Sequence, residues 1–285
     1  MVNSKNIKQI DLSSFTSMGM CVNTLLSIIF AVILFIVISV MTGGNASSIA
    51  LVLIPVIVFG TILQSIIHFF GRGFLYNIFV KRLNAINFSI EDNEVKEIKP
   101  LPIALVLALI SLVSFIIVYT LIAVFVPAMI SSLLQMLMMT GQMGIAMILY
   151  NVAMLMVSPR IIISLLIASF VFPFLFVLIG AYCYNYLSPI IGGIIVELEY
   201  EKDMTIIKRF DPTKTAIIMS IVMTILSVIV SIIMLIVNQK AGMSAIYNII
   251  VTFVLNFVII FLATYFYNYL APKLGEVKLK LENEL

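Results

Sequence analysis

Charged side chains are scarce in this chain, and their scarcity defines its class. Lys, Arg, Asp and Glu make up 10% of the 285 residues, while apolar residue types make up 63% and the mean hydropathy is +1.23. A soluble domain carries roughly 25% charged residues. The composition therefore excludes an ordinary soluble domain and predicts an integral membrane protein. The net charge of +3 is no evidence for a nucleic-acid partner, and none is expected.

The residue types that catalysis and metal binding need are also few. The chain has a single histidine, His68, and two cysteines, Cys21 and Cys183, without partners at metal-ligand spacing. No Asp or Glu falls within the long apolar runs, although ion-coupled transporters usually place a carboxylate near mid-membrane. A P-loop, a Gly-x-Gly-x-x-Gly turn and a Cys-x-x-Cys pair are missing too. These absences argue against an enzyme, and no cofactor is expected.

Six long apolar runs are the main feature that is present. They cover residues 18–42, 48–70, 101–127, 160–187, 213–237 and 243–270. A bilayer core about 30 Å thick requires about 20 helical residues, and each run exceeds that length. Because backbone groups in lipid must pair internally, the runs predict six transmembrane helices that have the lipid bilayer as their surroundings.

Lysine and arginine are distributed unequally between the two ends of these runs. Of the 16 such residues, only Arg160 and Lys240 lie on one side; the termini, the loops 71–100 and 188–212 and their flanks carry the rest. The positive-inside rule therefore predicts a multi-pass protein of the cell membrane with both termini in the cytoplasm.

A short phrase occurs three times, each time at the end of an apolar run. It is Tyr184–Pro189 followed by Gly192-Gly193, Tyr267–Pro272 followed by Gly275, and the shorter Tyr76-Asn77. An Ile-Lys phrase opens the copies at Ile7-Lys8, Ile98-Lys99 and Ile207-Lys208. Such self-similarity predicts one two-helix unit laid down three times. The repeats are residues 1–93, 94–202 and 203–285, arranged around a pseudo-threefold axis.

The asparagine of each copy, Asn77, Asn185 or Asn268, has two interpretations. Asparagine favours helix ends and turns, so each can serve the exit from its helix. Alternatively, the three amides form a polar ring around the axis at the inner face of the membrane.

Alternating apolar and polar residues follow the copies and predict short strands. In repeat 2, for example, Ile194, Val196 and Leu198 share one face. Segments 86–100 and 194–210 are predicted to be hairpins. The strands Ile7–Ile10 and Val277–Leu281 would then meet and close a cytoplasmic β-layer of about six strands, which removes exposed edges. Two separated hairpins with loose termini are the alternative.

Repeat 2 carries an insertion at residues 128–159, on the outer side. Pro127 and Pro159 bracket it, and Thr140–Gly144 divides it into halves that are too short to span a membrane. It predicts a pair of short apolar helices in the outer interface, or a re-entrant hairpin.

The insertion is rich in methionine. Thioether sulfur is a ligand for copper(I), but neither His nor Cys accompanies these residues, so packing against lipid or protein is favoured. A candidate partner-docking patch, named here the methionine patch, comprises Met136, Met139, Met143, Met147 and Met154.

The Tyr-Asn … Pro … Gly-Gly-Ile-x-Val-x-Leu ending resembles that of a widespread, uncharacterised prokaryotic transmembrane family. The phrase at residues 207–212 is similar to that family's start. The likeness covers residues 204–282 best and 95–199 apart from the insertion. It implies a membrane location with cytoplasmic termini and brings no activity.

Together these features favour a non-catalytic membrane scaffold or accessory subunit of a membrane complex, with a protein partner or self-association. One alternative is a channel or pore along the pseudo-threefold axis, which requires polar side chains to face that axis. Another is the transport of lipid or small molecules.

Overall fold

The computed structural model describes residues 3–45, 47–83, 86–201, 203–238, 243–244, 246–247 and 249–283. Its helices are α1 Leu12–Met41, α2 Ser47–Phe79, α3 Pro100–Met139, α4 Met143–Met156, α5 Pro159–Ile191, α6 Pro212–Val237 and α7 Ile249–Leu274. Its strands are β1 Asn3–Ile10, β2 Ile86–Glu91, β3 Glu94–Ile98, β4 Ile194–Glu201, β5 Met204–Phe210 and β6 Val277–Asn283.

Six of these helices are long and apolar enough to cross a membrane, as the sequence predicts. They are α1, α2, α3, α5, α6 and α7. The helix α4 has 14 residues, fewer than the ~20 that span a bilayer core. The helical part of the fold is therefore that of a multi-pass membrane protein by length and composition.

The six strands form one closed antiparallel barrel in chain order. The hairpins β2–β3 and β4–β5 are the two expected ones. The terminal strands β1 and β6 pair with each other, and Ile7 lies opposite Leu281. Closure of the ring is thereby confirmed, and the alternative of separated hairpins with loose termini is wrong. A closed ring leaves no strand edge open to other chains.

One face of the strands points into the barrel and is mainly apolar. The register places on this face Ile7, Phe88, Ile90, Val95, Ile98, Val196, Leu198, Ile207, Leu279 and Leu281, together with the polar residues Lys5, Tyr200, Thr205 and Asn283. The Nζ atom of Lys5 lies 4.7 Å from the centre of the Tyr200 ring, although β1 and β4 stand on opposite sides of the ring. Because Lys5 and Tyr200 belong to the same face of the sheet, a contact between non-adjacent strands indicates that this face points inward. In so small a barrel, side chains fill the interior.

Three β-bulges fall at lysine residues. The cross-strand register skips Lys8 between β1 and β6, Lys96 between β2 and β3, and Lys208 between β4 and β5. A bulge leaves one residue unpaired and increases the local twist. Lys96 is thus the residue of β3 that shares this bulge position with Lys8 and Lys208. Lys99, which follows Ile98 in the Ile-Lys phrase, lies beyond the end of β3 and outside the bulge.

Residues Met1–Val106 and Val177–Leu285 form one compact unit, which contains the barrel. Two buried clusters connect barrel and helices in this unit. In one, Met18 of α1 packs with Tyr267 of α7 and Val277 of β6. In the other, Tyr184 of α5 packs with Ile218 of α6, and Ile98 of β3 lies against them. Each cluster therefore combines helix and strand residues in one apolar core.

Residues Leu107–Phe176 form the second unit, and here the insertion differs from its prediction. The helix α3 continues without a break to Met139 and includes Pro127, so the first half of the insertion is not a separate short helix. Proline is tolerated in apolar helices because neighbouring groups satisfy the freed carbonyl. The second half is the short helix α4, and the Tyr119 hydroxyl donates a hydrogen bond to the Met156 carbonyl at its end.

Barrel closure can be tested by cross-linking the terminal strands. Asn6 and Glu282 lie directly opposite each other, so Asn6→Cys combined with Glu282→Cys should form an intramolecular disulfide on mild oxidation. Cys21 and Cys183 are replaced by Ser in this background. The measurement is the gel mobility of the oxidised protein, with mass spectrometry of the linked peptide.

The matched control combines Asn6→Cys with Lys278→Cys, which lies about 13 Å further along β6 at ~3.3 Å per residue. Equal cross-linking of both pairs, or cross-links between chains only, would contradict closure.

Candidate functional site

Three helices begin a single residue after a strand of the barrel. The connecting residues donate their backbone N–H groups to carbonyls of neighbouring strands: Asp11 to Lys278 at 3.0 Å, Lys99 to Asn87 at 2.9 Å and Asp211 to Ile195 at 3.1 Å. The carboxylates of Asp11 and Asp211 also cap α1 and α6, accepting from the N–H groups of Ser14 and Lys214 at 2.8 and 2.9 Å. Such caps satisfy N–H groups that the helix leaves without partners.

The three predicted asparagines bind the ends of the strands that precede these helices. The Oδ1 atom of Asn185 accepts from the N–H of Ile98 at 2.9 Å, and its Nδ2 atom donates to the Ile98 carbonyl at 2.8 Å. Asn77 makes the same two bonds to Ile10, at 2.8 and 2.8 Å. Asn268 makes them to Phe210, at 2.9 and 2.8 Å. Each side-chain amide thus pairs with both the N–H and the carbonyl of one strand residue.

The tyrosine before each asparagine connects two strands. The Tyr184 hydroxyl donates to the Val95 carbonyl at 2.5 Å and accepts from the Ile194 N–H at 3.0 Å. The Tyr267 hydroxyl does the same with Ile207 at 2.5 Å and Val277 at 3.3 Å. The Tyr76 hydroxyl donates to the Ile7 carbonyl at 2.6 Å and accepts from Ile86. These residues are named the Tyr-Asn pairs: Tyr76 with Asn77, Tyr184 with Asn185, and Tyr267 with Asn268.

The Tyr-Asn pairs have a clear structural role. Buried backbone N–H and C=O groups need partners, and the ladder of a short strand supplies none beyond its end. The side chains supply them from the last turns of α2, α5 and α7. These bonds join each asparagine to a strand 58, 67 or 87 residues away rather than to the exit of its own helix, and Asn185 and Asn268 lie inside helices that continue to Ile191 and Leu274. The arrangement of the three amides as a polar ring around an axis stays a prediction.

A glycine and a glutamate near Tyr184 add to the connection between β3 and β4. A Cβ atom on Gly193 would stand 2.1 Å from the Val95 carbonyl oxygen, so only glycine fits there. The Gly193 N–H donates to the Glu94 carboxylate, which also pairs with Lys96 Nζ at 2.6 Å. The hydrogen bond from Gly193, followed by the one from Lys96, holds the pKa of Glu94 below its usual range.

The bulge lysines face carboxylates. Lys208 pairs with Glu199 at 2.7 Å and with Glu276 at 3.1 Å, while Lys8 lies 3.8 Å from Glu282. The two glutamates raise the pKa of Lys208, Glu199 contributing more. The bulge lysines are therefore paired with carboxylates of the barrel and do not form a set of unpaired cations.

The methionine patch lies in the second unit, at the end of α3 and along α4. All five of its side chains are more than half exposed. Large exposed apolar patches mark contacts with proteins or membranes. In the described part of the chain, no group of three or more His, Cys, Asp or Glu residues could hold a metal ion.

Comparison with family models, curated proteins and solved structures finds no match to this chain. The resemblance to an uncharacterised transmembrane family therefore stays a prediction, as do the boundaries of the three repeats.

Removal of one asparagine amide should weaken the whole barrel unit. Asn185→Ala leaves the N–H and carbonyl of Ile98 without their partners, and an unsatisfied buried group costs about 1–3 kcal/mol. We expect the free energy of unfolding to fall by about 2 kcal/mol or more. Circular dichroism during denaturant unfolding in mild detergent measures it. Asn151→Ala, which removes an exposed amide in α4, is the control, and equal losses in both variants would refute the role.

The lowered pKa of Glu94 predicts a dependence of stability on pH. A depressed pKa in the folded state stabilises the fold above the unfolded value of about 4.3 and ceases to do so as the pH falls through the folded pKa. Glu94→Gln keeps a hydrogen-bond acceptor but does not titrate. The thermal midpoint of the wild type should therefore exceed that of the variant at pH 7 and approach it below about pH 4. Parallel curves from pH 7 to pH 3 would rule this out.

Proposed function

We propose that this protein is a non-catalytic integral membrane scaffold that serves as an accessory subunit of a membrane complex. The proposal rests on the structural role of the Tyr-Asn pairs. Each pair binds the end of a long apolar helix to the barrel through backbone hydrogen bonds. These polar side chains thus fix the apolar helices to the barrel, and a scaffold requires such fixed positions.

In this proposal the three repeats surround a pseudo-threefold axis, with the barrel and both termini in the cytoplasm. The recurrence of the same hydrogen bonds at Asn77, Asn185 and Asn268 supports the symmetry. The orientation is supported by the bias of Lys and Arg toward the barrel side, where Lys96 and Lys208 lie at its bulges.

The inner face of the barrel favours a scaffold over a channel. A pore along the axis needs polar or hydrated walls, whereas the inward positions carry mainly Ile, Val, Leu and Phe. Lys5 and Tyr200 contact each other across the interior. Conduction through the barrel would therefore require these side chains to move apart.

The methionine patch is the proposed docking surface. Methionine has an unbranched, polarisable side chain that adapts to irregular partners. The patch includes a helix, α4, too short to span a membrane alone, and its side chains are exposed in the structure of the single chain. We propose that an apolar membrane segment of the partner covers it.

Affinity purification from native membranes in mild detergent, with mass spectrometry of co-eluting chains, tests the scaffold. We expect a partner in a fixed stoichiometry. Changing Met136, Met139, Met143, Met147 and Met154 together to Ser should release it, because the contact loses apolar area. Changing the same five residues to Leu should retain it, since the apolar area is kept.

The two five-residue variants also serve as controls for folding. Both should melt at the temperature of the wild type, because the Tyr-Asn pairs lie in the other unit. A protein that purifies alone, or a partner that the Ser variant retains, would contradict the proposed docking surface.

A further inference from the structure

An open cavity of about 470 Å³ lies beside the end of α7, where the apolar helix meets the charged barrel. Its lining includes Lys208, Arg209, Glu197, Glu276, Tyr265 and Tyr269. Both tyrosine side chains are about half exposed. Tyrosine at the end of a membrane helix sits at the depth of the lipid headgroups. If the six apolar helices span a bilayer, the cavity faces those headgroups from the side.

The charges that line the cavity are not all engaged. Lys208 is neutralised by Glu199 and Glu276. Arg209 and Glu197 are exposed and lie directly opposite each other on β5 and β4. Within the described ranges, neither of these two side chains makes an ion pair. The cavity therefore presents one guanidinium and one carboxylate to a ligand.

Arg209 is not required for the hydrogen bonds between asparagine and strand end that occur three times in the chain. The residue that follows the bulge lysine is Gln9 in β1, Glu97 in β3 and Arg209 in β5. All three strands end in the same bonds to an asparagine. A cation at this position is therefore compatible with the fold but specific to one copy.

We propose that the cavity binds the zwitterionic headgroup of a phospholipid of the phosphoethanolamine class. The planar guanidinium of Arg209 suits the phosphate, because arginine binds phosphate oxygens through two parallel hydrogen bonds. The carboxylate of Glu197 suits the ammonium group, and the exposed ring of Tyr265 offers a further contact for a cation. The Tyr269 ring already carries the Lys273 ammonium, whose Nζ atom lies 3.4 Å from the ring centre. The acyl chains extend along exposed apolar side chains of α7 such as Val258 and Leu255.

The remaining charges favour this headgroup over an anionic one. The lining holds the two cations Lys208 and Arg209 and the two carboxylates Glu197 and Glu276. A headgroup with a phosphate alone would meet Glu197 beside Arg209 without a compensating ammonium. A headgroup that carries both charges matches the pair.

Native mass spectrometry of the purified protein, titrated with short-chain phosphatidylethanolamine or phosphatidylglycerol, tests the site. The wild type should bind phosphatidylethanolamine more tightly. Arg209→Gln should weaken the binding of both lipids about tenfold, through loss of the charge-assisted hydrogen bonds. Glu197→Gln should weaken phosphatidylethanolamine alone and so remove the preference.

Lys280→Gln is the matched control, because it removes the same charge from the barrel without lining the cavity. It should bind as the wild type does. Soluble phosphoethanolamine distinguishes a lipid from a free phosphate compound: at millimolar concentration it should not displace the lipid. Displacement by the soluble compound, equal binding of the two lipids by the wild type, or unchanged binding by Arg209→Gln would each overturn the proposal.

The lipid-binding measurement is independent of the affinity purification that tests the scaffold. Lipid binding is measured on the purified protein, so it does not depend on a protein partner or on the methionine patch. Circular dichroism checks that the variants fold, which is expected because Arg209 and Glu197 contribute only their backbones to the barrel ladder.

Discussion

The bidentate hydrogen bond between an asparagine amide and the last residue of a strand is the interaction on which this fold depends. A strand that passes into a helix within one residue leaves an N–H and a carbonyl beyond the end of its ladder. An amide side chain offers one donor group and one acceptor in the geometry of a peptide unit. Asn77, Asn185 and Asn268 each supply both. Short connections between apolar helices and a small barrel are possible because these groups are satisfied.

The barrel follows from that constraint and from chain closure. Once the strand ends are fixed to the helices, the strands that begin and end the chain, β1 and β6, lie side by side and pair. The inward positions then form a filled apolar interior, while the bulges aim Lys8, Lys96 and Lys208 toward carboxylates. Gly193 permits the close approach of β4 to Val95, where any side chain would collide with a carbonyl oxygen. Six of the described helices are long and apolar enough to cross a membrane. The barrel fixes the positions of their ends through hydrogen bonds.

The sequence predicts the long-range closure of the barrel better than it predicts local details. Alternation identifies the hairpins, and the repeat leaves Ile7–Ile10 and Val277–Leu281 without partners, so their pairing can be inferred. The hydrogen bonds of Asn185 cannot be inferred from the sequence, because Ile98 lies 87 residues away and no local pattern connects the two residues. Proline is a poor marker of helix ends in apolar sequence, which is why a helix end is expected at Pro127 although α3 continues to Met139. The cavity beside α7 cannot be predicted from the sequence, because Arg209 and Glu197 come together only through strand pairing.

Differences between the three Tyr-Asn sites separate what the fold needs from what it does not. The same kind of backbone bond is made at each of the three pairs. A residue that stands beside one site only is not needed for these bonds, since the other two sites form them without it. Arg209 is such a residue, with Gln9 and Glu97 in its place elsewhere. The methionine patch lies in the other compact unit, apart from the Tyr-Asn pairs. The recurring bonds therefore account for how helices join the barrel, and Arg209 and the methionine patch, which those bonds do not involve, are the proposed binding surfaces.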